Sequence, residues 1–206
     1  MMLIISVTTL HSLKAQWYPD PSEPARLLND YAGILNMDEA DVLEVRLMTY
    51  HQEYGVQIVM IILNDFGRND PVSYASAIVD RWGIGYNNDE KGLLVLVKPK
   101  NQFGPLAVAV VPNSYFKDIF NEETSESISA NEIRPLVAKG KMFAALNKGL
   151  DAIVANIDGN YTVKSTRKGK AVYYILLLVL LHVTGVYVAV FVTRIVRRRR
   201  ERKNRQ

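Results

Sequence analysis

An uninterrupted apolar run near the C-terminus is the strongest constraint on what this chain can fold into. Residues 171–193 are 23 consecutive residues without a charged side chain, and valine and leucine dominate them. A helix of that length is about 34 Å long, enough to cross a hydrocarbon core of about 30 Å. A buried helix of a soluble domain would rarely stay uncharged for so long, so the run predicts a single transmembrane helix.

The positive charge on the two sides of this run predicts its orientation. Four lysines and arginines lie in residues 164–170, against eight in residues 194–206. Because cytoplasmic flanks carry the excess of Lys and Arg, the C-terminal tail is expected in the cytoplasm and the folded portion outside it. Beside a membrane such cations attract anionic headgroups, at about 1 kcal/mol each, so nucleic-acid binding is not expected. The basic tail is interpreted as a topology signal, with recognition of a phosphoinositide-type lipid as the alternative.

The N-terminus has the features of a secretory signal. Residues 1–10 are almost wholly apolar, and Ala15 before Gln16 provides a small-residue cleavage point. The positively charged n-region of a typical signal is missing, so two interpretations stay open: a cleaved signal peptide over residues 1–15, or a retained N-terminal anchor. With the signal interpretation, the folded portion is expected in the periplasm or on the extracellular side.

The predicted span itself contains two features beyond its length. His182 falls at its centre, where a polar ring is costly unless it is neutral or has a partner. Gly185 and Ala189 form a small-xxx-small spacing that lets a second helix approach closely. Two interpretations are therefore open for the span, helix association or a passive anchor with a neutral histidine.

The net charge of +4 conceals two oppositely charged parts of the chain. Residues 16–163 carry 12 bases and 20 acids, 12 − 20 = −8, and the positive charge is concentrated around the apolar run. The chain has no cysteine, which excludes thiol chemistry, disulfides and cysteine-ligated zinc. Because about 140 residues can bury close to two-thirds of their surface, one compact domain without disulfides is expected.

Capping signals mark two helices in this acidic part. Asn36 and Glu39 form a capping-box pattern ahead of an amphipathic stretch, and Gly55 is expected to end that helix. Asp70 followed by Pro71 is an N-cap with proline at the first helical position, and it predicts a second helix. Three further helical pieces are predicted, over residues 114–120, 125–138 and 141–157.

Continuous apolar runs between these helices predict buried strands. The runs are rich in β-branched residues and too short for helices, and they cover residues 56–62, 92–97 and 106–111. The short loop between the last two strands is suited to an antiparallel hairpin. The order of elements predicts an α/β fold, a three-layer sandwich in which a mixed sheet is covered by helices on both faces.

These signals divide the chain into six segments. They are a signal peptide at 1–15, an extended proline-rich leader at 16–26, an α/β domain at 27–160, a linker at 161–170, a transmembrane helix at 171–193 and a basic cytoplasmic tail at 194–206. Because the linker is short, the domain is expected to stay close to the bilayer. A membrane protein or membrane protein complex is therefore the expected partner, beside the lipid that surrounds residues 171–193.

Four short motifs, in their order and spacing, resemble the TPM domain family. They are NDYAGIL at 29–35, GVQIV at 55–59, DRWGIG at 80–85 and DEKGLLVLV at 89–97. Members of that family are typically exported α/β domains tethered by one C-terminal membrane helix. The chain departs from the pattern at residues 107–115, where the family usually has an arginine and a Gly-x-Gly-x-Glu-like stretch.

The resemblance implies two functions. A chloroplast branch of the family helps to maintain and repair a photosynthetic membrane complex and has been described as a calcium-binding acid phosphatase, and an animal branch modulates a membrane receptor. An extracytoplasmic interaction module that aids the assembly, maintenance or repair of a membrane protein complex is therefore expected. The alternative is a divalent-metal-dependent acid phosphatase that acts outside the cytoplasm, so enzymatic activity stays an open question.

The resemblance also implies the position of a metal site. Its ligands would be Asp30, Asp80 and the acidic loop formed by Asp89 and Glu90, and such oxygen ligands suit Ca²⁺ or Mg²⁺. Each carboxylate has a structural alternative: Asp30 as the acceptor of an Asx-turn, Asp80 as a partner of Arg81 or a solvated group, and the acidic loop as a solvated loop. The sequence has no Gly-x-Ser-x-Gly elbow, phosphate-binding glycine loop or metal-spaced histidine pair, so turnover would depend on carboxylates and a metal ion.

Overall fold

The computed structural model describes residues 17–86, 91–164, 180–182 and 184. The chain divides into two compact units, Met1–Val163 and Lys164–Gln206. In the second unit Lys164 is described and is not helical, and four residues of the predicted span, 180–182 and 184, are helical and exposed. Within the described part of the chain, no helix combines the length and apolar character needed to cross a membrane. The predicted signal peptide and cytoplasmic tail, and all but those four residues of the predicted span, lie outside the described residues.

A four-stranded mixed sheet forms the centre of the first unit. Its strands lie side by side in chain order: β1 (Leu28–Asp30), β2 (Val56–Ile62), β3 (Lys91–Lys98) and β4 (Ala107–Pro112). The first three strands are parallel, and β3 and β4 form the antiparallel hairpin that the sequence predicts. The sequence does not predict β1, because three residues are too few to show a strand periodicity.

Helices follow the first two strands and the hairpin. They are α1 (Met37–Tyr54), α2 (Pro71–Trp82), a 3₁₀ turn (Ser114–Phe116), α3 (Glu122–Ile128), a π-helical turn (Ser129–Ile133), α4 (Arg134–Val137) and α5 (Met142–Ile157). Of the helical piece predicted over residues 114–120, only the 3₁₀ turn over its first three residues forms, and a turn follows. The helix predicted over 125–138 is also interrupted in the structure, by the wider π-helical turn between α3 and α4.

The predicted capping of α1 and α2 is confirmed. The Asn36 side chain accepts the backbone N–H of Glu39 at 2.9 Å, and the Glu39 carboxylate accepts the backbone N–H of Asn36 at 3.1 Å. At the start of α2 the Asp70 carboxylate accepts the backbone N–H of Ser73 at 2.8 Å. The hydrogen bonding from Ser73 holds the pKa of Asp70 below its usual value. Each helix therefore begins at the residue that the sequence marks for it.

Alternate residues of the two central strands face two separate hydrophobic cores. One core takes one set of side chains from β2 and β3 together with residues of α1, α3, α4 and α5. The other core takes the alternate set, including Ile61 and Leu94, and is closed by α2 through Tyr74, Ile78 and Val79. Helices therefore pack on both faces of the sheet, and the predicted α/β fold with a mixed sheet is confirmed.

Residues 17–20, the N-terminal strap, pack against α2. The Tyr74 hydroxyl donates a hydrogen bond to the carbonyl oxygen of Trp17 at 2.9 Å. The indole N–H of Trp82 donates to the carbonyl oxygen of Pro19, also at 2.9 Å. Aromatic donors on the helix therefore bind the backbone of the segment that follows the predicted cleavage point.

The strap makes the stability of the domain sensitive to alkaline pH. Burial, with a smaller electrostatic contribution from Tyr18, raises the pKa of the Tyr74 phenol to about 12. An unfolded tyrosine loses its proton near pH 10, so between about pH 10 and pH 12 the folded chain binds more protons than the unfolded chain. The stabilisation is therefore complete below about pH 10 and is lost as the pH rises towards 12.

We expect Tyr74→Phe to reduce the fall in melting temperature between about pH 10 and pH 12, because the raised pKa disappears with the phenol. The variant should also melt at a lower temperature at neutral pH, since its hydrogen bond to Trp17 is lost. Thermal unfolding of the full chain in detergent, followed by circular dichroism, measures both effects. Tyr50→Phe is the matched control, because Tyr50 also takes part in a hydrogen bond but packs against the core on the other face of the sheet, so its variant should keep the alkaline fall of wild type. An unchanged alkaline fall in Tyr74→Phe would contradict the assignment.

Candidate functional site

Asp30 lies at the edge of the sheet where the parallel strands end. It is aligned with Ile62 of β2, which is aligned with Val97 of β3. This carboxyl edge is therefore formed by the C-terminal ends of three neighbouring strands. It is also where the chain turns from β1 towards α1.

The carboxylate of Asp30 closes that turn. One oxygen accepts the backbone N–H of Ala32 at 3.1 Å, and the other accepts the backbone N–H groups of Ile34 and Leu35 at 2.8 Å each. Such charge-assisted bonds are among the stronger hydrogen bonds in proteins. The geometry gives Asp30 the turn-forming role, and its role as a metal ligand stays a prediction.

Asp80 lies at the opposite, amino edge of the sheet. It is on the last turn of α2, and its carboxylate accepts a hydrogen bond from the Tyr86 hydroxyl at 3.1 Å. The amino edge is where β3 begins, at Lys91. Val97, the residue of β3 that is aligned with Asp30 through β2, lies six residues further along the strand. At about 3.3 Å per residue, the two edges are about 20 Å apart along the strands. The structure therefore does not bring Asp30 and Asp80 together.

The turn after α2 is fixed tightly to the amino edge. A Cβ atom on Gly92 would lie 2.3 Å from the carbonyl oxygen of Ile84, so only glycine lets this turn cross the first residues of β3. Gly85 donates its backbone N–H to the Gln57 side chain at 2.6 Å. The buried amide of Asn113 donates to the carbonyl oxygen of Ile84 at 3.1 Å. In the stretch that departs from the family pattern, an amide rather than a carboxylate therefore reaches this turn.

The acidic loop of the predicted site lies outside the described residues. Asp89 and Glu90 directly precede Lys91, the first residue of β3, so the loop leads into the amino edge. Across the described ranges, no group of three or more His, Cys, Asp or Glu side chains has an arrangement that could hold a metal ion. Binding of Ca²⁺ or Mg²⁺ at Asp30, or at Asp80 together with the acidic loop, therefore stays a prediction.

A different surface, on α1, has an unusual exposure of apolar side chains. Thirteen large apolar side chains are exposed among the described residues, and six of them fall between residues 31 and 48. A group of exposed apolar side chains is a candidate for a surface that binds another molecule. The α1 outer surface is defined here by the helical members of this group, which are Met37, Val42, Val45 and Met48.

Contacts on both sides of α1 fix this surface towards solvent. Leu43 and Leu47 are fully buried in the core. The carboxylate of Glu44 accepts the backbone N–H groups of Leu27 and Leu28 at 3.0 and 2.7 Å, which ties α1 to β1. Val45 lies on the opposite side of the helix from these contacts and is 62% exposed.

Charge is distributed unevenly on α1. The helix contains five acids and one arginine, 1 − 5 = −4, half of the −8 of residues 16–163. The arginine, Arg46, is directed at α5, where it donates to Asp151 at 2.7 Å and contacts Asn147. The outer surface is therefore both apolar and acidic. Val45 and Met48, placed between the members of the core stripe in the sequence, are the signal that indicates it.

The mixed sheet, its two cores and the strand order define an α/β domain with helices on both faces. The model of the TPM domain matches residues 28–156, more than half of the chain. The chain belongs to the TPM domain family.

Solved structures show the same fold at low sequence identity. The N-terminal domain of a protein from P. gingivalis, solved in solution by NMR, is 20% identical, with a TM-score of 0.55 over 65% of this chain and 83% of that chain. An N-terminal domain from Corynebacterium glutamicum, also solved by NMR, is 10% identical, with a TM-score of 0.50 over 72% of this chain and 88% of that chain. No functionally curated protein matches this chain.

We expect Asp30→Asn to lower the free energy of unfolding by about 1–3 kcal/mol, because a neutral amide cannot accept all three backbone donors. Chemical denaturation of the full chain in detergent measures the change. Asp65→Asn is the matched control, since Asp65 accepts one backbone N–H in an exposed turn and should cost less. Equal stability of Asp30→Asn and wild type would contradict the turn-forming role.

Proposed function

We propose that this protein is an interaction module anchored in a membrane, whose domain lies outside the cytoplasm and aids the assembly, maintenance or repair of a membrane protein complex. The observation that carries the proposal is the α1 outer surface. Its apolar side chains contribute to neither core, and Met37 is 79% exposed. Covering such a surface with a partner lowers the free energy, because apolar side chains are removed from water.

The composition of this surface suits a protein partner. Two of its four apolar side chains are methionines, which adapt their shape to different partners because they are unbranched and polarisable. The core contacts of α1 come from separate residues, Leu43 and Leu47, so partner binding does not compete with folding.

The sequence supplies the location of the proposed partner. The apolar run at 171–193 and its basic flank support a membrane anchor with a cytoplasmic C-terminus. The linker at 161–170 is ten residues long and keeps the domain near the bilayer surface. A protein embedded in the same membrane is therefore the partner that the α1 outer surface would meet.

Site-specific photo-crosslinking in intact membranes tests this proposal. A photoreactive residue at Val45 should yield a covalent product with a membrane protein, because that position is at the centre of the proposed contact. The same residue at Val72 of α2, which is 52% exposed, is the matched control and should yield little product. Equal products from both positions, or none from Val45, would overturn the proposal.

A divalent-metal-dependent acid phosphatase is the second candidate. The position of Asp80 favours this function, because its carboxylate lies at the amino edge of the sheet. Strand β3 begins at the same edge, and Asp89 and Glu90 directly precede β3 in the sequence. An ion such as Ca²⁺ or Mg²⁺ at this edge would supply the charge stabilisation that phosphoryl chemistry needs. Asp30, at the other edge, would not take part in such a site.

Phosphate release from a generic aryl phosphate separates the two candidates. For an interaction module we expect no release above the uncatalysed rate, from acidic to neutral pH, with or without a chelator. Release that is abolished both by chelator and by Asp80→Asn would establish the phosphatase instead. Asp70→Asn, at the N-cap of α2, is a control for nonspecific effects of losing a carboxylate on that helix.

A further inference from the structure

Three apolar side chains of the α1 outer surface form a continuous ridge. Val42, Val45 and Met48 follow one another at intervals of three residues, and each is about half exposed or more. The ridge is about 9 Å long along the helix axis. Ridges of this spacing pack into the grooves between the i±4 rows of a second helix, with the axes crossing at about 20°. The ridge therefore has the geometry of one side of a helix–helix contact.

A second, acidic ridge runs beside the apolar one. Asp38 and Asp41 are also three residues apart, and both are exposed. The ion pair of Asp41 with Arg26, at 3.3 Å, lies at the surface, where such pairs contribute little to stability and can be exchanged. Arg46, the arginine of α1, pairs with Asp151 of α5 rather than with either of these aspartates. A partner that covers the apolar ridge must therefore also meet two carboxylates.

We propose that the α1 outer surface binds an amphipathic helix of the partner protein, with an apolar stripe over Val42, Val45 and Met48 and lysine or arginine side chains over Asp38 and Asp41. This inference rests on the proposed function and specifies the partner's contact surface. The apolar contact supplies affinity, and the opposed charges fix the register and speed the encounter.

Charge disfavours two other occupants of the ridge. A symmetric contact with a second copy of the chain would bring together two surfaces of the same negative charge, and like charges repel. An anionic lipid surface would be repelled by the same carboxylates. An amphipathic helix with basic flanks would bury the apolar ridge and pair its cations with the carboxylates of the acidic ridge.

A pair of synthetic helices tests the inference on the full-length protein in nanodiscs of neutral lipid. The probe is an amphipathic peptide of about 20 residues with a leucine stripe flanked by lysines, and its counterpart has glutamates in place of the lysines. Fluorescence anisotropy at increasing salt measures binding, with empty nanodiscs as the blank. We expect the basic peptide to bind at least about tenfold more tightly than the acidic one, and binding to weaken with salt.

Variants of the two ridges assign the contact. Asp38→Asn with Asp41→Asn should weaken binding of the basic peptide about fivefold and reduce its salt dependence, and Val45→Ser with Met48→Ser should weaken both peptides. Val72→Ser is the control and should change nothing. Circular dichroism verifies that each variant is folded. Equal affinity for the two peptides, or unchanged binding in the double aspartate variant, overturns the inference.

The crosslinking experiment separates failure of this inference from failure of the proposed function. The basic peptide, added before irradiation, should reduce the yield of the Val45 crosslink to the membrane protein. A yield that the peptide does not change overturns the helix inference and leaves the interaction module standing. A Val45 crosslink between two copies of the chain overturns the inference that a basic helix of another protein binds this surface.

Discussion

The burial of β2 and β3 on both faces is the constraint on which the rest of the domain depends. Their side chains are apolar at almost every position, so either face left open would expose a continuous hydrophobic surface. Two separate cores are the consequence, one closed by α2 and the other by α1 and the C-terminal helices. The parallel pairing of these strands also requires a crossover, which α2 provides on one face.

The sequence predicts the elements whose signals are local. The capping residues of α1 and α2 lie at the observed helix starts, and the apolar runs correspond to β2, β3 and β4. Elements that depend on distant contacts are predicted poorly. β1 has only three residues and is stabilised by its pairing with β2. The π-helical turn depends on tertiary packing, because the Ile133 side chain lies so close to Gly149 of α5 that a Cβ atom on Gly149 would clash with it. Neither contact has a periodic signature in the sequence.

The geometry of the candidate site also depends on distant contacts, so the sequence does not predict it. The resemblance to the TPM family indicates the acidic residues that are candidates for ion binding, but it does not say how far apart they lie. Strand register decides that question for Asp30 and Asp80, which belong to opposite edges of the sheet. The α1 outer surface is the reverse case. The sequence shows apolar residues such as Val45 and Met48 between the members of the core stripe, and the orientation of the helix, fixed by Glu44 and Arg46, shows that they face solvent.

The N-terminal strap has a consequence for which positions of the chain tolerate substitution. Its bonds to Tyr31, Tyr74 and Trp82 all end on main-chain carbonyl oxygens, which every amino acid possesses. Trp17, whose ring is largely in solvent, can therefore be exchanged for many residues without loss of the bond, whereas the aromatic donors cannot. A saturation mutagenesis profile of this region should be permissive at the exposed acceptor positions, Trp17 and Asp20, and restrictive at the aromatic donors, even though they belong to the same hydrogen bonds.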